Sequence, residues 1–405
     1  MADVRTRAAN RAVVLGALRT GGSLSKADLA RRLGLSVPTV TEILRDFEND
    51  GIVAAVGEGP SSGGRRPMLY RLRTHALRAV GVSVDPDRIT AVVSDLSGEI
   101  STEAALAVDF GDGDTTFTDT LVRVLDQVLA DVGTAEHLAG IGIAVPTTMR
   151  RSQKGRFAPL DHPQWNAVDL HAVLDERYRL PVVTENRAHA VGVGEHLFGA
   201  GRGTSDLLCL MLGSGLGAAI LAGGALFTGG DGGAGALGRM ALEVPGRGNQ
   251  NGDGGGGSVP TIGEQVSAAG IARTAVDRLR ATGRDTHLGT PFAEVDVDHV
   301  IDAAAAGDPL MTAVLADVGR VLGWVVATTL CVTDSDLVLL CGPTMRAGAL
   351  IVEPLREALD GQVPFALPRL RIGQLGARAG PLGAAALVLT ELVREEFTPV
   401  GEVAR

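Results

Sequence analysis

Ser25 and Ser36 head two short apolar-periodic runs separated by Gly34, and this spacing constrains the fold more than any other feature of the chain. Ser25 and Asp28 form an S-x-x-D capping box, and Leu29 and Leu33 follow at i, i+4 as the buried stripe of a short helix. Gly34 supplies a left-handed residue to end that helix. Ser36 caps the next one, with Pro38 in its first turn, where a missing N–H costs little. Val40, Ile43, Leu44 and Phe47 give this second helix its inward face, leaving Ser36, Thr39, Thr41, Glu42 and Arg45 outward. Asn10–Arg19 reads as a preceding helix with Val13, Val14, Ala17 and Leu18 inward.

A compact helix pair of this kind places its second helix in the major groove of DNA. Short hydroxyls and an arginine at the head of an exposed helix suit base edges and phosphates. Behind the pair, Ile52–Val56 and Met68–Leu72 read as two strands flanking Gly57–Pro67. That loop carries Ser61, Ser62, Gly63 and Gly64 and ends in Arg65 and Arg66, a flexible tip able to reach the backbone or a narrow minor groove. Residues 1–73 therefore predict a winged helix-turn-helix on a double-stranded DNA operator, with Ser36, Thr39, Thr41, Arg45, Arg65 and Arg66 as its contacts. The competing reading is a solvated helical hairpin with a disordered tip.

Charge follows the same division. Residues 1–73 hold 12 Lys+Arg against 7 Asp+Glu, a net of +5, and the remainder carries 25 against 40, a net of −15. The acidic body repels a polyanion, so the overall charge of −10 confines DNA contact to the front rather than excluding it. At 405 residues with 45% hydrophobic side chains, the chain has room for two or three domains with cores of Ala, Val, Leu and Ile. Cys209, Cys331 and Cys341 form no CxxC pair and read as small core residues in a reducing compartment. No N-terminal run reads as a leader, and no apolar run is expected to reach membrane-span length. The stretch Met311–Cys331 is interrupted by Asp317, Gly319 and Arg320. The expectation is a cytoplasmic protein with no membrane partner.

After the wing the periodicity changes. Arg78–Val84, Arg88–Leu96 and Glu99–Val108 predict a three-stranded meander, followed by a helix at Thr115–Val132 and a strand at Leu138–Val145. Next come a helix at Val168–Tyr178, a strand at Pro181–Thr184 and a helix at Arg187–Leu197. A second set starts with strands at Asp206–Leu212, Ala218–Leu221 and Ala225–Phe227. Helices at Ile262–Ala281, Val297–Ala306 and Leu310–Thr329 follow, then strand Asp336–Cys341, helix Ala347–Leu359, strand Arg369–Leu375 and helix Leu382–Glu396. Two successive sheet-plus-helix units predict two α/β lobes with a cleft, at 74–200 and 201–380. The helix at 381–405 is expected to return to the first lobe.

The order of helix-turn-helix, Gly-Arg-Arg-Pro wing and two-lobed body resembles the ROK family of bacterial sugar-responsive repressors and sugar kinases. Gly64–Leu69, Gly140–Pro146, Trp165–Leu170, Leu180–His196 and Leu212–Ala219 carry the resemblance, with Gly342 and Gly380–Ala385 in support. It implies an actin/hexokinase-like α/β body with sugar and ATP sites in the cleft. Departures from the family pattern then decide the activity. The family's Asp-x-Gly-Gly-Thr phosphate loop is replaced by Val84-Asp85-Pro86-Asp87-Arg88, without the glycines that bring backbone N–H groups to phosphate. The Glu-Asn-Asp-Ala catalytic motif reads Glu185-Asn186-Arg187-Ala188. A guanidinium cannot accept a sugar hydroxyl proton, and losing a general base costs about 10²–10⁴ in rate.

The sensor departs as well. Gly-Glu-Ile-Gly-His becomes Gly235-Ala236-Leu237-Gly238-Arg239, so two residues that hold sugar in the family are Ala236 and Arg239 here. The cysteine-rich zinc loop becomes Gly246–Gly257 without cysteine, and no metal or other cofactor is expected. The eight histidines, being dispersed, read as surface or satisfied core residues. Thr261-Ile262-Gly263 stands where the family has Cys-Leu-Glu, unless Glu264 takes over that carboxylate. Gly213–Gly217 suits a tight strand-to-strand turn better than a phosphate once the first loop is lost. Glu185 and Asn186 either line a cleft or cap the following helix. Trp165 and Asn166 shape the same mouth or pack in the core. Arg187 and Arg239 suit an acidic or phosphorylated ligand, or pair to close the cleft.

The reading is a DNA-binding repressor of the ROK type with a catalytically dead kinase-like body acting as effector sensor and homodimer or tetramer unit. Its ligand residues are expected to be Asn166, Glu185, Asn186, Arg187 and Arg239, and its effector a sugar, sugar phosphate or acidic derivative. The alternatives are a sugar kinase with an appended DNA module and a regulator without an effector.

Overall fold

The computed structural model describes residues 2–60, 66–108, 114–130, 138–146, 170–241, 259–282, 290–363 and 366–394, and the chain divides into two compact units. The first comprises 1–147, 153–186 and 380–405, and the second 148–152 and 187–379.

The front of the first unit holds α1 (Ala2–Gly21), β1 (Leu24–Ser25), α2 (Lys26–Leu33), α3 (Val37–Asn49), β2 (Val53–Glu58) and β3 (Met68–Leu72). The strands pair antiparallel in the order β1-β3-β2, with Leu24 opposite Tyr70 and Val53 opposite Leu72. Leu29, Val40, Ile43, Leu44 and Phe47 are buried, as their spacing predicts. The face of α1 is rotated from the expected one: Val13 is exposed, while Arg11, Val14, Leu15 and Leu18 point inward.

Behind it stand β4 (Arg78–Val84), β5 (Arg88–Asp95), β6 (Ile100–Ala107), α4 (Asp114–Ala130), β7 (Leu138–Val145), α5 (Leu170–Tyr178) and β8 (Val182–Asn186). The sheet order is β6-β5-β4-β7-β8, antiparallel through the meander and parallel from β4 to β8. The second unit repeats that order as β11-β10-β9-β12-β13. Its strands are β9 (Leu207–Leu212), β10 (Leu216–Ala222), β11 (Ala225–Phe227), β12 (Leu337–Cys341) and β13 (Arg369–Ile372). Its helices are α6 (Arg187–Phe198), α7 (Ile262–Val266), α8 (Ala268–Thr282), α9 (Val297–Ala305), α10 (Pro309–Thr333) and α11 (Ala349–Leu359).

Several expectations change in detail. The helix Arg187–Leu197, placed by its position before residue 200 in the first lobe, packs on β9 and β10 of the second unit. The single helix expected at Ile262–Ala281 breaks at Ser267, whose backbone is extended (φ −65°, ψ 159°) and whose Oγ accepts the Gly270 N–H at 3.1 Å. α10 is, by length and composition, apolar enough to cross a membrane, contrary to the expectation that no segment reaches that length. Its Met311, Val314, Leu315, Val318, Leu322 and Val326 are all buried in the core of the second unit, which makes it a core helix. Cys331 is exposed, not buried, while Cys209 and Cys341 lie on adjacent strands with their sulfurs 3.5 Å apart. The hydrogen bond between them and their burial push the Cys209 thiol well above its ordinary range.

The last helix, α12 (Ala379–Arg394), returns across β4 and β7. Gly81 and Gly142 are opposite one another in register, and both strands are bare at the contact. A Cβ on Gly81 would lie 1.9 Å from the Pro381 carbonyl oxygen, and one on Gly142 2.1 Å from that of Ala384. Gly81→Ala must therefore displace the helix. The expected loss is about 1–3 kcal/mol, read as a lower urea midpoint for unfolding of the full-length protein.

Candidate nucleic-acid interface and sensor residues

Local capping fixes both helices of the reader. Ser25 Oγ accepts the Asp28 N–H at 3.1 Å, and Asp28 Oδ2 accepts from Ser25 N at 3.4 Å and Ser25 Oγ at 2.7 Å. These bonds, led by the serine hydroxyl and helped by Arg31, hold the Asp28 carboxyl below the usual carboxylate range. Gly34 takes φ 66° and closes the helix with its N–H on the Ala30 carbonyl. Ser36 Oγ accepts the Thr39 N–H at 3.2 Å and lies 2.7 Å from the Thr39 hydroxyl.

Ser36 and Arg45 are exposed, while Thr39 and Thr41 are half-buried. Val37, Pro38, Thr41, Glu42 and Arg45 line one open concavity of about 430 Å³ on the outer face of α3. The structure thus gathers Thr41 and Arg45 on a single surface and commits Thr39 partly to the cap. Arg66 is exposed at the foot of the wing, where the Gly59 N–H donates to the Pro67 carbonyl at 2.8 Å. Arg65 and the tip from Ser61 lie outside the described residues.

Sequence reasoning missed what holds α3 in place. Arg11 on α1 is only 3% exposed, and its guanidinium lies 4.7 Å over the Phe47 ring. It also reaches Asp46 and Asp50, each at 3.4 Å. Arg7 adds Asp46 at 2.9 Å and Glu42 at 3.8 Å. Burial raises the Asp50 carboxyl against the opposing pull of Arg11. The polar residues at 7, 11, 46 and 50 follow helical spacing on two separate elements, and the sequence contains no sign that the two faces meet.

In the body, the turn that replaces the phosphate loop closes on itself. Asp85 N donates to the Arg88 carbonyl at 2.9 Å, Ser83 Oγ donates to Asp85 Oδ2 at 3.3 Å, and Arg88 lies 3.7 Å from Asp87. Two carboxylates in place of glycine N–H groups repel a phosphate. Glu185 and Asn186 end β8, half-buried, with the Asn186 N–H donating to Glu185 Oε1 at 2.7 Å. Arg187 opens α6 and is buried. His189, two residues on, is also buried, with Nε2 at 2.9 Å from the Ala234 carbonyl oxygen. Ala188 packs against Gly217, and Gly238 packs on the Leu216 backbone, so Arg187 and Arg239 flank the start of β10. Arg239 is exposed on a short 3-10 turn. Asn166 lies outside the described residues, and Glu185 and Asn186 belong to the first unit, Arg187 and Arg239 to the second.

Glu264 does not stand free as a substitute carboxylate. Its Oε2 accepts from Thr261 N at 2.7 Å and Thr261 Oγ1 at 2.9 Å as a helix cap, and those bonds lower its carboxyl below the usual range. Gly213–Gly215 form the turn between β9 and β10, with Gly213 N donating to the Gly215 carbonyl at 3.1 Å.

Comparison with known proteins agrees with this organisation. The ROK family model matches residues 79–391, and a winged helix-turn-helix DNA-binding model matches residues 13–54. A putative xylose repressor from Caldicellulosiruptor sp. (strain Rt8B.4) is 25% identical over 395 residues, covering 95% of this chain and 96% of its own. The crystal structure of a ROK family transcriptional regulator, a homologue of the E. coli MLC protein, superposes with a TM-score of 0.76 at 20% identity. It covers 97% of this chain and 98% of its own. A ROK family glucokinase from Streptomyces griseus, solved with glucose and AMPPNP, has a TM-score of 0.65 at 26% identity, over 76% of this chain and 98% of its own. The relatives thus include both repressors and kinases, and the repressor and regulator matches cover 95–97% of this chain against 76% for the glucokinase. The chain belongs to the ROK family and, with the winged helix-turn-helix at its front, is a DNA-binding transcriptional regulator of the ROK type.

Proposed function

We propose that the protein is a cytoplasmic repressor whose two-lobed body senses a carbohydrate-derived effector without transferring phosphate. The observation that carries this reading is Arg187, a buried guanidinium directly after Asn186, where phosphotransfer in this family needs a carboxylate base. The self-closed acidic turn Asp85–Arg88 supports it, because it offers a nucleotide no cradle of N–H groups. Arg187 and Arg239, both flanking the start of β10, favour an effector bearing a carboxylate or phosphate over a neutral sugar. Asn166, Glu185 and Asn186 complete the proposed ligand set. The xylose repressor relative points to sugar regulation as the general setting.

A coupled ATPase assay over common hexoses and pentoses is expected to give no turnover above the background of an Asn186→Ala variant. Turnover that this variant abolishes would restore the kinase reading. Calorimetry with sugar phosphates, uronic acids and the parent sugars is expected to find binding among the anionic compounds, weakened by Arg239→Ala. Binding to none of the panel would favour a regulator without an effector.

On DNA, Ser36, Thr39, Thr41 and Arg45 are the proposed contacts in the major groove, with Arg65 and Arg66 on the backbone or minor groove. A homodimer, or a tetramer built from dimers, matches two α3 helices to a two-fold operator. Arg45→Ala is expected to weaken operator binding by about 1–3 kcal/mol with changed base preference. Arg65→Ala combined with Arg66→Ala should weaken all sequences alike and reduce the salt slope by about 1–2. Fluorescence anisotropy at several salt concentrations, on matched and scrambled duplexes, separates the two effects. Equal loss on both duplexes for Arg45→Ala would remove it from the base-reading set.

A further inference from the structure

Asp95, at the end of β5, is 3% exposed, and its two oxygens have different surroundings. Oδ1 accepts three hydrogen bonds, from Ser97 N at 2.8 Å, Ser97 Oγ at 2.6 Å and Glu99 N at 3.1 Å. Oδ2 is buried and faces His75 Nδ1 at 2.6 Å. A buried carboxylate oxygen is costly unless a donor or a cation stands beside it. With that imidazole, the Glu99 carboxylate completes a group whose donor atoms all fall within 4.8 Å of one another. We propose that His75, Asp95 and Glu99 bind a divalent transition-metal ion of the zinc class.

An imidazole with two carboxylates is a donor set for borderline divalent ions rather than for calcium or magnesium, which take oxygen only. Donor atoms about 2.0–2.2 Å from a shared tetrahedral ion sit about 3.4 Å apart. That value falls between the His–Asp spacing and the outer bound of the group. Asp95 is the fixed ligand, oriented by the three donors on Oδ1 as a supporting shell orients a metal carboxylate. His75 and Glu99 are exposed, so they can adjust around an ion arriving from solvent and leave its remaining position to water. The sequence conceals the set because His75 lies twenty residues before Asp95, on a different element.

The position gives the ion a consequence. His75 belongs to the 3-10 turn Thr74–Ala76 that follows β3, the last strand of the winged module. The Leu96 N–H already donates to the Thr74 carbonyl at 3.1 Å, so an ion on these ligands staples the linker to the β5–β6 turn a second time. It stiffens the joint on which the DNA reader stands.

The test uses the full-length protein stripped with a chelator, then titrated with Zn²⁺ by calorimetry and with Co²⁺ as an absorbing probe. The wild type is expected to show a binding event that weakens at least about tenfold in both His75→Gln and Glu99→Gln. His299→Gln, which alters an exposed His–Asp pair elsewhere, should leave it intact. Saturating zinc should raise the melting temperature of the wild type and not of the two ligand variants. The assignment is overturned if the wild type takes up no metal, or if His75→Gln binds it as the wild type does. It also falls if His75→Gln lowers the melting temperature equally in chelator and in zinc, which identifies a plain His–Asp ion pair.

Discussion

The close approach of α12 to the first five-stranded sheet is the contact on which the rest of the first unit depends. Gly81 and Gly142 lie side by side on β4 and β7, and only their bare backbones let the carbonyls of Pro381 and Ala384 come so near. A side chain at either position holds the helix off and opens the interface along its length. Ala385, Val388 and Leu389 of the same helix lie in one apolar cluster with Leu24, Leu29, Phe47, Tyr70 and Leu72 of the winged module. Each such leucine or valine contributes about 1.5–3 kcal/mol by its burial. A module of some seventy residues buries too small a share of its surface to be robust alone. Here it shares a core with the end of the chain instead of hanging from a linker.

Within that module, charge is used to place a helix and not only to meet DNA. Arg11 is nearly fully buried, and breaking one partner of such a group costs more than the pair contributes. Its value is geometric: the guanidinium lies over Phe47 and reaches Asp46 and Asp50, so α3 is fixed in rotation as well as position. With Asp46 engaged on that inner side, Arg45 is left exposed on the face that carries Thr41 and Glu42. A reading helix needs this rigidity, since base contacts discriminate only when donors arrive in register.

Much of this was legible in the sequence where a short-range rule governs. The caps at Ser25 and Ser36, the inward set Val40, Ile43, Leu44 and Phe47, and most strands of both sheets follow from periodicity and turn residues alone. What escaped is set by contacts distant in sequence. The rotation of α1 is decided by Arg11 finding two aspartates some forty residues on, so Val13 faces solvent where hydropathy alone turns it inward. The break at Ser267 depends on Gly270 packing against the Glu264 carbonyl. The placement of α6 is decided by Gly192 lying against Ala219 and Cys209, not by its nearness to β8 in the chain. Among the proposed ligand residues, only the chemistry at Arg187 and Arg239 could be read in advance. Glu264 is not available to a ligand as its position suggests, because Thr261 occupies its carboxylate.

The backbone passes between the two units at Asn186–Arg187 and again at Ala379–Gly380. The first crossing carries the guanidinium that stands in for a base, and the second leads directly into α12 and the core beneath the winged module. The helix entered at the second crossing is packed against the core of the DNA reader, within the first unit. An effector-driven switch is powered only by the difference in ligand affinity between its two states. Catalysis would work against that logic, because a kinase consumes its ligand and makes occupancy depend on turnover. In the proposed reading, arginine in place of the base would remove the chemical exit, so that occupancy would be set by concentration and affinity alone, the condition for an equilibrium sensor.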